Sequence, residues 1–452
     1  MKERISPEVR KEYRTSLHLA WPVVVGQIGH VTVGVADSAM VGRIGALPLA
    51  ASAFANSLFV IPLVLGIGMA YGLTPLSANR SGSEGTDSLA DVLRNGLWLN
   101  MGFGVLLMGL LLGTIPWMGA MGQDPTVAAL AGPYLGILAL SMLPLMLFLT
   151  VKQFIEGLGN TKTAMRISLW GNGVNVAFNA VLIYGWLGFP AMGLIGAGIA
   201  TLISRILMAL AIVLQTRRSI EYSEYWKALA SKPPERETLG DIVRLGLPTS
   251  LQYLFEVSAF ALSALMVGTL GAVPLAAHQI AISLASISYM GASGISAAAT
   301  IRVGTELGVQ KPGKARRAGL VGLTLGAGIM LLSGLVFFIG RNFLPSLYSP
   351  DAEVVALASS LLIIAVFFQL SDGLQVVALG ALRGMADVRY PTWITFLAYW
   401  VIALPLAWVV GIEWKGGTLA IWGALAFGLS VSAALLVWRF WNLSRRGLKA
   451  IG

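Results

Sequence analysis

No cysteine occurs among the 452 residues, so disulfides, thiolate metal sites and cysteine nucleophiles are excluded. Histidine is nearly as scarce. His18, His30 and His278 are too scattered for a multi-histidine metal site. Charged residues make up only 12% of the chain, against about 25% in a soluble domain. Hydrophobic residues make up 56%, and the mean hydropathy is +0.77. That leaves too little polar surface to coat a soluble fold of this length, so lipid has to serve as solvent.

What the chain does have is long apolar runs. They fall at residues 17–41, 47–76, 92–115, 127–151, 163–187, 192–215, 242–267, 273–303, 315–339, 354–382, 391–410 and 419–441. Each is long enough to cross about 30 Å of hydrocarbon as a helix. A barrel would show shorter, alternating segments. The first run is too long for a removable signal peptide and lacks a small-residue cleavage site, so it reads as a retained span. The expected fold is an all-α integral membrane protein with twelve transmembrane helices. With the N-terminus in the cytoplasm, all of the 31 Lys and Arg residues except Arg43, Arg341 and Lys415 fall on the cytoplasmic side. This bias predicts that both termini are cytoplasmic. It also accounts for the pI of about 9.9 without a nucleic-acid partner.

The only long polar interval, 216–240, divides the spans six and six. The halves repeat one another. MVGRIGALPLAASAFANSL from Met40 returns as MVGTLGAVPLAAHQIAISL from Met266, and Pro22, Gly68, Thr74 and Gly82 meet Pro248, Gly294, Thr300 and Gly308 at the same offset. Further on, EGLGNTK from Glu156 faces RGMADVR from Arg383. The expected domains are an N-terminal six-helix lobe (1–215), a linker (216–240) and a C-terminal six-helix lobe (241–452). Copies with an even number of spans share one orientation, which implies a pseudo-two-fold axis along the membrane normal and a midplane cavity, the architecture of alternating access.

Three carboxylates lie well inside spans: Asp37, Glu256 and Asp372. Each costs about 2.5–3.5 kcal/mol at mid-membrane depth, and no Lys or Arg reads as deep enough to pair with it. They are candidates to bind a proton, a metal cation or a cationic substrate. Gln369 and Gln375 flank Asp372 at helical spacing, and Gln252 and Tyr253 precede Glu256 by one turn. Asn175 and Asn179, four apart, form an amide face that would complete a site with Asp37 and Thr201; interhelical hydrogen bonding explains the pair equally well. Such oxygen-rich sites suit hard cations. His30, two turns before Asp37, occupies the repeat position of Glu256. Tyr289, Gln369 and Gln375 are candidates to line a substrate cavity. Residues 308–314 spell G-x-x-x-x-G-K, but Ala315 replaces the Mg²⁺-binding hydroxyl and no strand precedes the loop, so no ATP site is expected. No nucleophile or acid–base constellation marks an enzyme. A transporter that does not spend ATP couples to an ion gradient, and one charge moved across 100 mV yields about 2.3 kcal/mol.

As a joint pattern, several segments resemble the multidrug and toxic compound extrusion (MATE) family, in its NorM-type bacterial branch. They are P-x-x-x-x-Q from Pro22 to Gln27, VADSAMVGRIGALPLAA with Asp37, EGLGNTK with Glu156, and LPTSLQYLFEVSAF with Glu256. PLAAHQIA, ATIRVG ending at Gly304, SDGLQVVALGALRGMADVRYP with Asp372, and AYWVIALPLAW complete the set. The resemblance covers essentially all twelve spans. It implies a monomer in the bacterial cytoplasmic membrane that exports cationic lipophilic drugs and dyes by antiport with Na⁺ or H⁺, without a cofactor. It makes Glu256 and Asp372 the second-lobe cation site, with both as Na⁺ ligands, and Asp37 with Asn175, Asn179 and Thr201 the first-lobe site. Asn179 departs from another branch that has an acid there. The alternative cargo in the same superfamily is a lipid-linked oligosaccharide, which calls for several basic side chains in the cavity.

Overall fold

The computed structural model describes residues 7–83, 85–230 and 232–449, and no strand occurs among them. Its long helices are α1 (Val9–Gly42), α2 (Ala46–Gly82), α3 (Thr86–Met121), α4 (Pro125–Gly157), α5 (Thr161–Tyr184) and α6 (Gly193–Arg218). After the linker follow α7 (Arg236–Gly268), α8 (Ala272–Gly308), α9 (Pro312–Gly340), α10 (Ala352–Gly384), α11 (Arg389–Glu413) and α12 (Gly417–Arg446). The all-α membrane fold expected from hydropathy is what the chain adopts. Eleven of these helices are long and apolar enough to cross a membrane. The exception is α5, a 24-residue helix whose Asn172, Asn175 and Asn179 dilute its apolar character.

Local chemistry sets the helix limits. Asp124, Asn160 and Asp351 cap α4, α5 and α10 by accepting backbone N–H bonds from Thr126, Thr163 and Glu353 at 2.8, 3.1 and 2.9 Å. Gly185 ends α5 with φ at 74°, a left-handed cap open to glycine at little cost. In α11 the backbone widens to i→i+5 turns at Leu397–Ala403 and Val409–Glu413, on either side of Pro405, which has no N–H to give.

The internal repeat survives at the level of single bonds. Gly45 and Gly271, both at positive φ, open α2 and α8. The preceding turns bond alike, Ile44 N–H to Val41 O (3.1 Å) and Leu270 N–H to Val267 O (3.0 Å). At the other end of each copy, Asn160 N–H bonds Ile155 O and Asp387 N–H bonds Leu382 O, at 2.9 and 3.0 Å.

Packing divides the chain into two units, one of residues Val25–Ser250 and the other of the described residues up to Val24 together with those from Leu251 on. In the first unit, one apolar core runs from Val41 in α1 to Ile242 in α7. The linker folds onto this unit. Arg94 donates to the carbonyls of Leu229 and Ala228 at 3.0 and 2.6 Å, Asn160 donates to Tyr222 Oη at 3.0 Å, and Tyr225 meets Phe154 edge-on at 5.7 Å. In the second unit, Ala20 of α1 belongs to a core with Ile295 of α8, Val377 of α10 and Phe440 of α12. Outward-facing Trp98, Leu332 and Phe367 are 65%, 60% and 76% exposed, as expected of side chains solvated by lipid.

Candidate functional site

Within the unit Val25–Ser250 lies a cavity of ≈ 470 Å³, bordered by α1, α2, α4, α5 and α6. Asp37 lines it from α1, half-buried. Its carboxylate accepts a hydrogen bond from Asn179 Nδ2 at 2.5 Å. The same nitrogen donates to Asn175 Oδ1 at 3.1 Å, and Asn175 Nδ2 donates to Thr201 Oγ1 at 3.4 Å. Thr201 closes the chain by donating to Ala197 O at 3.1 Å. The four residues form one polar string across three helices. Both asparagines are at most 6% exposed, and Asn179 Oδ1 is buried without a donor among the described residues. His30 lines the same space one repeat-copy away from Glu256.

Two basic side chains share this cavity, Lys152 of α4 and Arg205 of α6. The expectation that no base accompanies the membrane carboxylates is therefore corrected here. Arg205 is placed by the break between the two segments of α4. Ser141 at that break accepts from Arg205 Nη1 at 2.6 Å, and the guanidinium lies 5.0 Å from the Phe59 ring centre. Lys152 Nζ is 3.9 Å from Glu156 Oε1. Neither Asp37 nor Arg205 has an opposite charge within 4.0 Å among the described residues.

In the second unit, Gln252, Tyr253, Glu256, Tyr289, Ser296 and Arg383 border a void of only ≈ 10 Å³. It occupies the same place in the repeat: Gly26, His30, Leu63 and Leu149 of the first cavity correspond to Gln252, Glu256, Tyr289 and Val376, at offsets of 226 or 227. Larger side chains at Gln252 and Tyr289 fill the second copy. Arg383 lies 5.9 Å from the ring centre of Tyr253. Asp372 of α10 is buried, at 8% exposure. Gln369 and Gln375 are fully buried. Gln369 donates to Ser288 Oγ at 2.6 Å and Gln375 donates to Tyr399 Oη at 2.9 Å. The copies differ chemically where it matters: Ser263 stands at the repeat position of Asp37, and Leu145 at that of Asp372.

Elsewhere, His278 is buried and accepts from Trp422 Nε1 at 3.0 Å, a core histidine. Residues 308–314 run from the last residue of α8 through a three-residue turn into the first turn of α9, with Lys311 N–H bonded to Glu306 O at 2.8 Å. No cluster of three His, Cys, Asp or Glu occurs among the described residues.

The family model for MatE matches residues 22–181 and 248–409. The chain is similar to the probable multidrug resistance protein NorM of Rhodopseudomonas palustris, 37% identical over 448 residues that cover 98% of this chain and 94% of that one. To the probable multidrug resistance protein NorM of Rhizobium meliloti it is 35% identical, covering 96% and 94%. To the multidrug resistance protein NorM of Aliivibrio fischeri it is 33% identical, covering 96% of both. Its fold is like that of a solved structure described as the outward-facing conformation of a multidrug resistance MATE family transporter, with TM-score 0.88, 21% identity, and coverage of 99% and 100%. It is also like the eukaryotic MATE transporter AtDTX14, with TM-score 0.86, 21% identity, and coverage of 98% and 100%.

Proposed function

Since the chain belongs to the MatE family, we propose that it is a secondary active multidrug efflux transporter of the bacterial cytoplasmic membrane. It exports cationic lipophilic compounds by antiport with Na⁺ or H⁺ through alternating access, as a monomer with both termini cytoplasmic. The observation that carries the reading is Asp37, a carboxylate with no ion-pair partner among the described residues, bordering a cavity large enough for a drug-sized molecule. The names of the relatives support the cargo.

A carboxylate held by one amide N–H keeps acceptor capacity for a proton, a Na⁺ ion or an organic cation. These occupants exclude one another, because a single negative charge satisfied by one no longer attracts the next. Such antagonism between bound ion and bound drug is the coupling free energy an antiporter needs. In this scheme Asp37 with Asn175, Asn179 and Thr201 forms one cation site. Glu256, which borders the void of the second unit together with Arg383, and the buried Asp372 form the other. The names of the relatives, multidrug resistance proteins, do not favour the alternative lipid-linked cargo.

The test is efflux of a cationic dye from preloaded cells that lack their own pumps, with Na⁺ and pH gradients imposed separately. Efflux driven by at least one gradient is expected, and the effective one identifies the coupling ion. Dye retained under both gradients, in cells shown to hold the protein in the membrane, overturns the reading.

A further inference from the structure

A basic cluster lies where the first turns of α9 meet the last turns of α12, within the unit that runs on from Leu251. Phe440 of α12 packs so closely on Gly319 of α9 that a Cβ there would stand 2.3 Å from the ring. One turn from this contact, Arg316 Cζ of α9 lies 4.7 Å from the Trp441 ring centre, and Arg445 Cζ lies 4.5 Å from the same centre. Two like charges are thus held against one indole, whose ring attracts each of them while they repel one another. Neither guanidinium has an acid within 4.0 Å among the described residues, and Arg316 Nε is buried without a partner. Arg439, also near the end of α12, shows the contrast: it donates to Asp387 Oδ2 at 2.8 Å. The start of α9 deepens the imbalance. Lys314, Arg316 and Arg317 fall in its first two turns with no acid in the first, at the helix end that favours negative charge. The cluster also stands at the foot of a lipid-facing stripe, since Leu435, Trp438 and Trp441 recur every three residues on α12 and are 40%, 63% and 37% exposed.

We propose that Arg316, Trp441 and Arg445 form a binding site for the phosphate headgroup of an anionic phospholipid, with an acyl chain lying along Trp438 and Leu435. A phosphate accepts charge-assisted hydrogen bonds from both guanidiniums and relieves their repulsion, while the indole holds the interface. A zwitterionic headgroup brings its own ammonium to the same place and gains less. A free phosphate lacks the chain that the apolar stripe would cover, which favours the lipid as occupant. In the topology proposed above, both helix ends face the cytoplasmic leaflet. The site is independent of the cargo and of the coupling ion.

The probes are phosphatidylglycerol and phosphatidylcholine carrying the same fluorophore on the same acyl chain. Their affinities are measured by fluorescence polarisation on the purified full chain in detergent, corrected with protein-free micelles. The chain is expected to bind phosphatidylglycerol about tenfold or more tighter than phosphatidylcholine, the yield of two guanidiniums on one phosphate. The double variant Arg316→Gln with Arg445→Gln should bring that ratio close to one. The double variant Arg217→Gln with Arg218→Gln removes the same charge from the end of α6, in the other unit, and should leave the ratio unchanged. Equal affinities in the unmodified chain overturn the proposal whether or not the variants fold. So does a ratio that survives in a folded Arg316→Gln and Arg445→Gln protein, or one that falls equally in both double variants, which would be the effect of net charge alone. Inorganic phosphate at constant ionic strength should leave the labelled phosphatidylglycerol bound. Its displacement by millimolar phosphate would make this a site for free anions and overturn the assignment to lipid.

Discussion

Asp37→Asn is expected to lower gradient-driven export of a cationic dye by at least about tenfold while leaving the protein folded. Asparagine is nearly isosteric with aspartate, and its Oδ1 can still accept the hydrogen bond from Asn179 Nδ2, so the string to Asn175 and Thr201 persists. What disappears is the negative charge, worth about 1.5–3 kcal/mol in a charge-assisted contact, or roughly ten- to a hundredfold in affinity. Since both coupled partners use that charge, the loss falls on the exchange itself. Glu256→Gln and Asp372→Asn should each reduce export as well. Initial efflux rates, normalised to the amount of folded protein in the membrane, check all three. Wild-type rates in all three variants would sink the scheme.

Gly68→Ala is the second change with a large expected effect, here on stability. A Cβ on Gly68 would stand 2.3 Å from Ser250 Cα and 2.6 Å from Ser250 N, against backbone that cannot rotate away. Ser250 is also tied to α2, donating to Leu65 O at 2.8 Å. Overpacking of this kind costs about 1–3 kcal/mol, and the thermal midpoint and the yield of monodisperse protein should both fall. At the repeat position Gly294, the nearest obstacle at 2.3 Å is the Val24 side chain, with backbone no closer than 3.0 Å. Gly294→Ala should therefore be the milder change. Equal midpoints for Gly68→Ala and the unmodified chain would contradict the packing described for α2 and α7.

Spans were legible in the sequence because lipid imposes one demand everywhere, about twenty apolar residues per crossing. The repeat was legible because Gly45 and Gly271 occupy matching turns in near-identical text. Half of the Asp37 site was legible too: Asn175 and Asn179 are one turn apart on α5, a spacing that predicts a shared face. That α6 adds Arg205 to the same cavity is a tertiary fact with no sequence spacing behind it. A signal was nonetheless present. Arg205 stands alone in an apolar run, and the membrane-depth criterion that singles out the three acids singles out this base as well. The small void around Glu256 was hidden for another reason: it depends on how Tyr289 and Gln252 pack, not on where they fall in the chain. The folding of the linker onto the first unit was equally out of reach, because its anchors, Arg94 and Asn160, lie more than sixty residues away.

Competition for the carboxylates is the central claim, and displacement of a bound cationic dye measures it directly. Purified protein in detergent is loaded with the dye and titrated with Na⁺ at fixed pH, then with acid at fixed Na⁺. Dye release by at least one titrant is expected, with its apparent affinity falling in proportion to that ion and with the response blunted in Asp37→Asn. A dye affinity indifferent to both Na⁺ and pH would contradict the claim.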